Sequence, residues 1–447
     1  MTDIAHFTID LVPVRTSLDR SLNLLERSFL TAAGGVGGGW YHELAGPSPG
    51  PTATAVGLLA FHLSHRTFDR SQDCLTFLGS RQVSSTIASR SGGWSTNASP
   101  GHPIVESTGW VVRMLAECRH RVENAAVDIG SAVDWLVFNQ NKDGGWGSLV
   151  HNTSRVWTTC LALRALIRID PSLPVVTAGI RWLMRQQHPE GGWGQTCSQQ
   201  PNVTHTAKVL ITLQESGLAD TDSAVVKGYE WLDARLDRTF EEDRDARVEM
   251  YDIGVDEPPQ RWRSTIPHYG LPYALIALLE QPTGPRPERI SSVVHSLLAT
   301  QLPEGRWPNV EGGQTASMWS VYPHMEALAR LMDWSPLRPG DKITLLPDVV
   351  VVQHSAARGK TLSELFRPRR GRAIREALVR NWTSLALTVA FLVGLVGVIT
   401  GRFDWNDFSL GLAVPIVLFV IQEVRERRRA GKSATARVEP PSPRTFR

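Results

Sequence analysis

Between residues 15 and 335 two kinds of apolar segment alternate along the chain. One kind is amphipathic and closes on a glutamine: DWLVFNQ ends at Gln140, RWLMRQQ at Gln187 and VVHSLLATQ at Gln301. The other is apolar almost all round: AVGLLAF, GWVVRML, CLALRAL, AKVLITL, ASMWSVY and HYGLPYALIALL. A one-sided apolar stripe predicts a helix on the outside of a body, and an all-round apolar run predicts a helix inside it.

The joints between the two kinds repeat as well. Gly-Gly-Trp stands at 38–40, 92–94, 144–146 and 191–193, a decayed copy EGRWP carries Trp307, and QRWR at Trp262 fills the remaining place. Three of the glutamines lie six residues before their tryptophan (Gln140, Gln187, Gln301), and Gln82 stands before a longer loop. A Trp-Leu pair begins the glutamine segments at Trp135 and Trp182 and survives at Trp231-Leu232. After the motif comes threonine with a small residue: Thr54-Ala55, Thr108-Gly109, Thr159-Cys160, Thr206-Ala207 and Thr315-Ala316. Each unit therefore reads outer helix, glutamine, glycine loop with tryptophan, inner helix. Glycine permits the positive φ of a tight turn, glutamine can bond backbone groups at helix ends, and threonine can cap the inner helix. Six such pairs make an open solenoid or a closed ring, and six is the number that closes a double-layered α-barrel. The predicted fold is all-α: an (α/α)6 toroid of six helix-pair repeats plus a C-terminal transmembrane helical hairpin. The fourth interval between tryptophans is the longest and holds an acidic insertion.

Charge divides the chain in two. The formal net charge is +3, yet residues 336–447 carry 19 basic and 9 acidic side chains, while residues 1–335 carry 28 and 35. An acidic body argues against a nucleic-acid partner. Cys74, Cys118, Cys160 and Cys197 are too few and too scattered for a disulfide framework, and reduced, buried thiols are expected. The N-terminus lacks the basic start and apolar stretch of a signal peptide.

Thr383–Thr400 is an uncharged stretch of 18 residues, and after GRFDWND a second apolar stretch runs from Phe408 to Ile421. The first is long enough for a hydrocarbon core of about 30 Å. FRPRRGRAIREALVR precedes the pair and RERRRAGK follows it. Positive flanks on both sides predict two crossings, with 1–335 on the cytoplasmic face of the plasma (inner) membrane and the Arg clusters against lipid headgroups. The predicted organisation is a toroid over 15–335, a basic linker over 336–382, a membrane hairpin over 383–421 and a basic, disordered tail over 422–447. The DVVVVQ run within 336–366 adds a strand or simply links.

The repeat, with its glutamine, Gly-Gly and tryptophan, resembles the QW repeat of squalene–hopene and oxidosqualene cyclases, in the terpene cyclase/prenyltransferase superfamily of (α/α)6 toroids. The resemblance covers about residues 15–335. It implies a central cavity for a polyprenyl or triterpenoid chain and cyclisation started by protonation. Triterpene cyclases carry an Asp-x-Asp-Asp-Thr-Ala element whose middle Asp is the proton donor. PNVTHTA at 201–207 and PIVESTG at 103–109 stand in its frame, with Thr204 beside His205 in one and Glu106 in the other. The full aspartate set is absent. Asp73-Cys74 lacks the zinc spacing of prenyltransferases, and 241–245 (EEDRD) reads as a charged loop rather than a Mg²⁺ site.

Glu106 is the candidate catalytic acid, because an apolar setting disfavours a charged carboxylate and leaves it able to donate a proton. His205 is the candidate assistant, and His151, His268 and His324 occupy comparable places in other repeats. No metal and no cofactor are expected. Trp110, Trp157, Tyr269, Tyr273, Trp319 and Tyr322 fall in the first turns of inner helices and are the candidate substrate-binding residues, whose rings would face a carbocation. The repeated tryptophans read as structural. The expected partners are membrane lipids, through the hairpin and Arg clusters, and a hydrophobic isoprenoid-like ligand; no protein partner is named. Two functions stand side by side: a membrane-anchored cyclase-like enzyme, and a catalytically degenerate toroid that binds a lipid or a protein.

Overall fold

A computed structural model describes residues 6–96, 101–118, 127–149, 151–218, 222–238, 247–256, 259–281, 287–309, 316–334, 342–346 and 349–353, all within the compact unit Met1–Ala356. The transmembrane hairpin, its Arg flanks, the tail and the acidic run 241–245 lie outside the described residues. Among the described residues no helix is long and apolar enough to cross a membrane.

Among the described residues, twelve α-helices alternate between two layers. The first layer is α1 (Val12–Arg27), α3 (Ser71–Arg81), α5 (Ile129–Phe138), α7 (Pro174–Arg185), α9 (Ser223–Arg238) and α11 (Pro287–Ala299). The second is α2 (Pro51–Leu63), α4 (Val105–Glu117), α6 (Val156–Ile169), α8 (Val203–Glu215), α10 (Gly270–Leu279) and α12 (Met318–Met332). Second-layer helices pack in the cyclic order α2, α4, α6, α8, α10, α12 and back to α2, so six pairs close as expected. Helices α4, α6 and α8 are buried on nearly every side, whereas α5 and α7 bury only one stripe.

Each glycine loop uses the same set of bonds. The indole Nε1 of Trp40, Trp94, Trp146, Trp193 and Trp307 donates to the carbonyl of Leu25, Leu78, Leu136, Leu183 and Leu297, all in the outer helix just completed. Those carbonyls are among the last ones a helix leaves without an internal donor. The threonines bond the loop instead of capping the helix: Thr108, Thr159 and Thr206 accept the backbone N–H of Trp94, Trp146 and Trp193 at 2.9–3.0 Å. Each glutamine joins its own loop to the next outer helix. Gln140 Nε2 donates to Gly144 and Val175, Gln187 to Gly191 and Ala224, and Gln301 to Gly305 and, on α1, Ser17. The last of these closes the outer layer. A parallel bond closes the inner one: Met318 N–H donates to His42, two residues past Trp40, as Val105 does to Ser148 and Val156 to Gln195.

Three departures from an all-α toroid appear. The acidic insertion leads into a two-stranded sheet, β4 (Arg247–Asp256) with β5 (Pro259–His268), paired antiparallel from Arg247↔His268 to Asp256↔Pro259. Trp262 therefore belongs to a strand and marks no helix-joining loop; hairpin pairing has replaced the glycine turn in that unit. Second, β1 (His6–Asp10) and β6 (Lys342–Leu346) flank β7 (Val349–Gln353), both antiparallel to it. Val349–Gln353 of the DVVVVQ run is thus a strand, as β-branched residues favour. Third, β2 (Leu30–Thr31) and β3 (Gly38–Gly39) form a short pair ahead of Trp40. Cys74, Cys118 and Cys160 are buried outside any disulfide, but Cys197, in the loop before α8, is exposed.

Candidate functional site

The inner helices point their N-terminal turns to the end of the ring that carries the glycine loops. Glu106 lies in the first turn of α4 and is buried, 4% exposed. The Ser148 hydroxyl, from the next unit's loop, donates to its Oε1 at 2.5 Å, while the Ser148 carbonyl accepts the N–H of Val105. One serine thus fixes both the helix start and the carboxyl. Beside it, Ser107 and Thr52 of α2 share a hydroxyl bond of 2.8 Å.

His205 is fully buried in the first turn of α8. Asn202 Oδ1 caps α8 through the His205 N–H and lies 3.0 Å from ring Nδ1 as well. The His205 ring is 5.2 Å from that of His268 at the foot of β5, and His268 meets Trp157 edge-on at 5.3 Å. Glu106 and His205 stand on α4 and α8, with α6 between them, and they are held by different partners, Ser148 and Asn202. His324 sits apart, stacked on Trp307 at 4.5 Å and edge-on to Tyr269 at 5.4 Å. Burial holds His324 down to about 3, against a weaker opposing push from the Ser320 carbonyl. His151 is exposed with φ +65°, whereas His205, His268 and His324 are buried.

Five of the six predicted aromatic residues, Trp110, Trp157, Tyr269, Tyr273 and Tyr322, are buried, and Trp319 is half-buried. Trp110 of α4 packs edge-on against Tyr322 of α12 at 5.2 Å. Trp157 and Tyr273 share a third partner, Lys208 of α8, whose Nζ lies 3.8 Å and 3.3 Å from their ring centroids.

Toward the C-terminal ends of the inner helices the ring is filled by charge. Arg113 binds Glu326 at 2.6 Å and Glu117 at 2.8 Å. Arg164 grips Glu215 with two bonds of 2.9 Å and reaches Glu326 at 3.2 Å. Arg168 pairs with Glu215 at 2.8 Å and with Glu117. Arg330 binds Glu280 at 2.6 Å and meets Glu215 and Glu326 at 3.3 Å. Burial would raise the Glu326 carboxyl, but Arg113, Arg164 and Arg330 outweigh it and hold it well below the usual range. Glu215 is lowered in the same way by Arg164 and Arg168. Sequence reading missed this network. Its signal was there: Arg113, Arg164 and Glu326 interrupt runs otherwise apolar on all sides, and buried charges survive only when paired.

With this geometry the relationships of the chain can be placed. Residues 129–235 match the squalene-hopene cyclase N-terminal domain family. That stretch runs from α5 into α9 and is similar to repeats of the terpene cyclase/prenyltransferase superfamily. A terpene cyclase–glycosyl transferase fusion protein from Humicola fuscoatra is 35% identical over 91 residues, which is 20% of this chain and 7% of that protein. This chain therefore spans a small fraction of that relative. A family 76 glycoside hydrolase from a bovine Bacteroides thetaiotaomicron strain superposes with a TM-score of 0.50, at 11% identity, over 72% of this chain and 78% of its own. A type II terpene cyclase from Scytonema, MstE, solved with geranylgeranyl dihydroxybenzoate, gives a TM-score of 0.46 at 14% identity over 72% of this chain and 97% of its own. A glycosidase on a similar fold is a reminder that the cyclase-like ring must be assigned a function from its own residues. Among the described residues, no group of His, Cys, Asp and Glu side chains is placed to hold a metal ion.

Proposed function

We propose that the ring is a terpene cyclase-like body that binds a polyprenyl or triterpenoid chain and protonates it from Glu106. One observation carries this reading: a carboxylic side chain is buried in the first turn of α4, fixed by the Ser148 hydroxyl, one helical turn before Trp110. Proton transfer from an oriented acid to an alkene carbon leaves a carbocation one bond away. The faces of Trp110 and Tyr322 suit such a charge, which an aromatic quadrupole stabilises by about 0.5–2 kcal/mol. His205, its ring fixed by Asn202, serves as the assisting group on the far side of α6. The test is product analysis of the full chain with squalene and with geranylgeraniol, wild type against Glu106→Gln. New cyclic products lost only in the variant are expected; identical extracts would remove the catalytic reading.

A second reading is a ligand-binding toroid without turnover. It is favoured by the packing of the aromatic rings on one another and by the ion pairs that occupy the ring at its other end. In that case Glu106→Gln leaves retention of a radiolabelled isoprenoid unchanged.

For location, we infer a two-crossing anchor over 383–421 that keeps the ring on the cytoplasmic side of the plasma membrane. Support comes from the uncharged 18-residue stretch and its Arg-rich flanks. Protease added outside intact cells should leave the C-terminal tail uncut, and a clipped tail would refute the double crossing.

A further inference from the structure

Lys208 is used by neither the acid nor the ion network, yet its amine lies inside the ring. Its nitrogen is over a ring of α6 on one side and a ring of α10 on the other. The charges that act on it across the ring, Glu326 and Arg113, belong to α12 and α4. Lys208 is 3% exposed, and its amine lies against the faces of two rings. Four arginines and four glutamates beside it pair with each other and leave it out. A buried ammonium without an anion is costly, so such a site favours the neutral amine. Burial pushes Lys208 well below the usual lysine range, and the nearby Arg164 pushes the same way. A lysine desolvated among apolar groups and set next to another cation is the arrangement that frees an amine lone pair for attack on a carbonyl.

We propose that Lys208 is an amine nucleophile that captures an apolar isoprenoid aldehyde as a Schiff base between Trp157 and Tyr273. The nitrogen lone pair attacks the carbonyl carbon, a C–N bond forms, and the C=O π pair moves to oxygen. A proton passes from nitrogen to that oxygen. The carbinolamine then loses its hydroxyl with the second nitrogen proton as water, and the C=N bond forms. Amine and aldehyde become imine and water, with no oxidant or reductant. The two rings that enclose the nitrogen stabilise an iminium by the same quadrupole attraction they offer an ammonium. The aldehyde's isoprenoid character rests on the reading of the ring given under the proposed function; the amine chemistry does not.

The experiment is reductive trapping of the full chain in detergent with farnesal and cyanoborohydride, followed by peptide mapping. The chain has only six lysines, and Lys142 and Lys227 are exposed internal standards. Labelling of Lys208 at least tenfold above Lys142 and Lys227, absent with farnesol, is the expected result. Label on Lys142 and Lys227 with Lys208 untouched overturns the proposal from wild-type protein alone, whether or not Lys208→Met folds. Where Lys208→Met does fold, it should lose the dominant adduct, and persistence of that adduct would also overturn it. Selective labelling of Lys208 by pentanal but not by farnesal would sustain the amine and overturn the isoprenoid ligand.

Discussion

Arg164 on α6 and Glu326 on α12 meet at 3.2 Å although their helices stand three places apart in a ring of six. The pair therefore spans the ring. Glu326 also takes Arg113 of α4 and Arg330 of its own helix, so one fully buried carboxylate links three inner helices.

Neutralising that carboxylate leaves three guanidiniums short of an anion. Glu326→Gln should cost about 3–5 kcal/mol, as breaking a buried pair from one side does. Urea denaturation of wild type and variant measures it, and a loss under about 1 kcal/mol would mean the network is solvated in practice.

The same cluster predicts a pH dependence. Burial raises the Glu280 carboxyl to about 7, because Arg330, 2.6 Å away, is shared with Glu215 and Glu326 and offsets burial only in part. An unfolded glutamate titrates near 4.5. Folded protein thus holds the extra proton between those values. The stability tied to it is complete below the unfolded value and disappears as pH rises through about 7. Glu280→Gln carries no such titration. Compared with wild type, it should gain ground from about pH 5 to about pH 8; parallel stability profiles would contradict the assignment.

Two glycines separate backbone strain from crowding. Gly144 has φ +94°, and a Cβ there would lie 2.8 Å from the Ala178 carbonyl on the next outer helix. Gly217 has φ +77° with open space around it. Gly217→Ala should cost about 1 kcal/mol, the left-handed penalty alone. Gly144→Ala should cost clearly more, roughly 2–4 kcal/mol. Equal shifts in melting temperature would show that the loop does not press on its neighbour.

Ring closure can be tested through Gln301, which donates to Ser17 across the first-to-last joint, and Gln187, which donates to Ala224 inside the ring. Each alanine substitution should cost about 1–3 kcal/mol, as the loss of buried amide bonds does. A closed ring requires the two losses to be alike. A negligible effect of Gln301→Ala alone would argue that the ends associate weakly.

The repeated loops were legible because their bonds are local. Gln140, Gly144 and Trp146 bond within a few residues of one another and to the helices they join, so each unit must restate the same letters. The hairpin in the fifth unit was not legible, since Trp262 had a suitable spacing and only β-pairing with Ile253 shows its role. Sequence also singled out Glu106 and His205, and could not say that Ser148 and Asn202 hold them.

What the sequence determined by itself is periodic: six helical pairs, their inner and outer faces, the joints between them, and an arginine-flanked apolar stretch at the C-terminal end. What tertiary structure decided is which residues from distant repeats share the space inside the ring. Arg164 and Glu326 are separated by 162 positions, and Lys208 meets Trp157 and Tyr273 from two other helices. Closure of the ring brings them together, and pairing of buried charge is enforced by desolvation rather than by any local pattern.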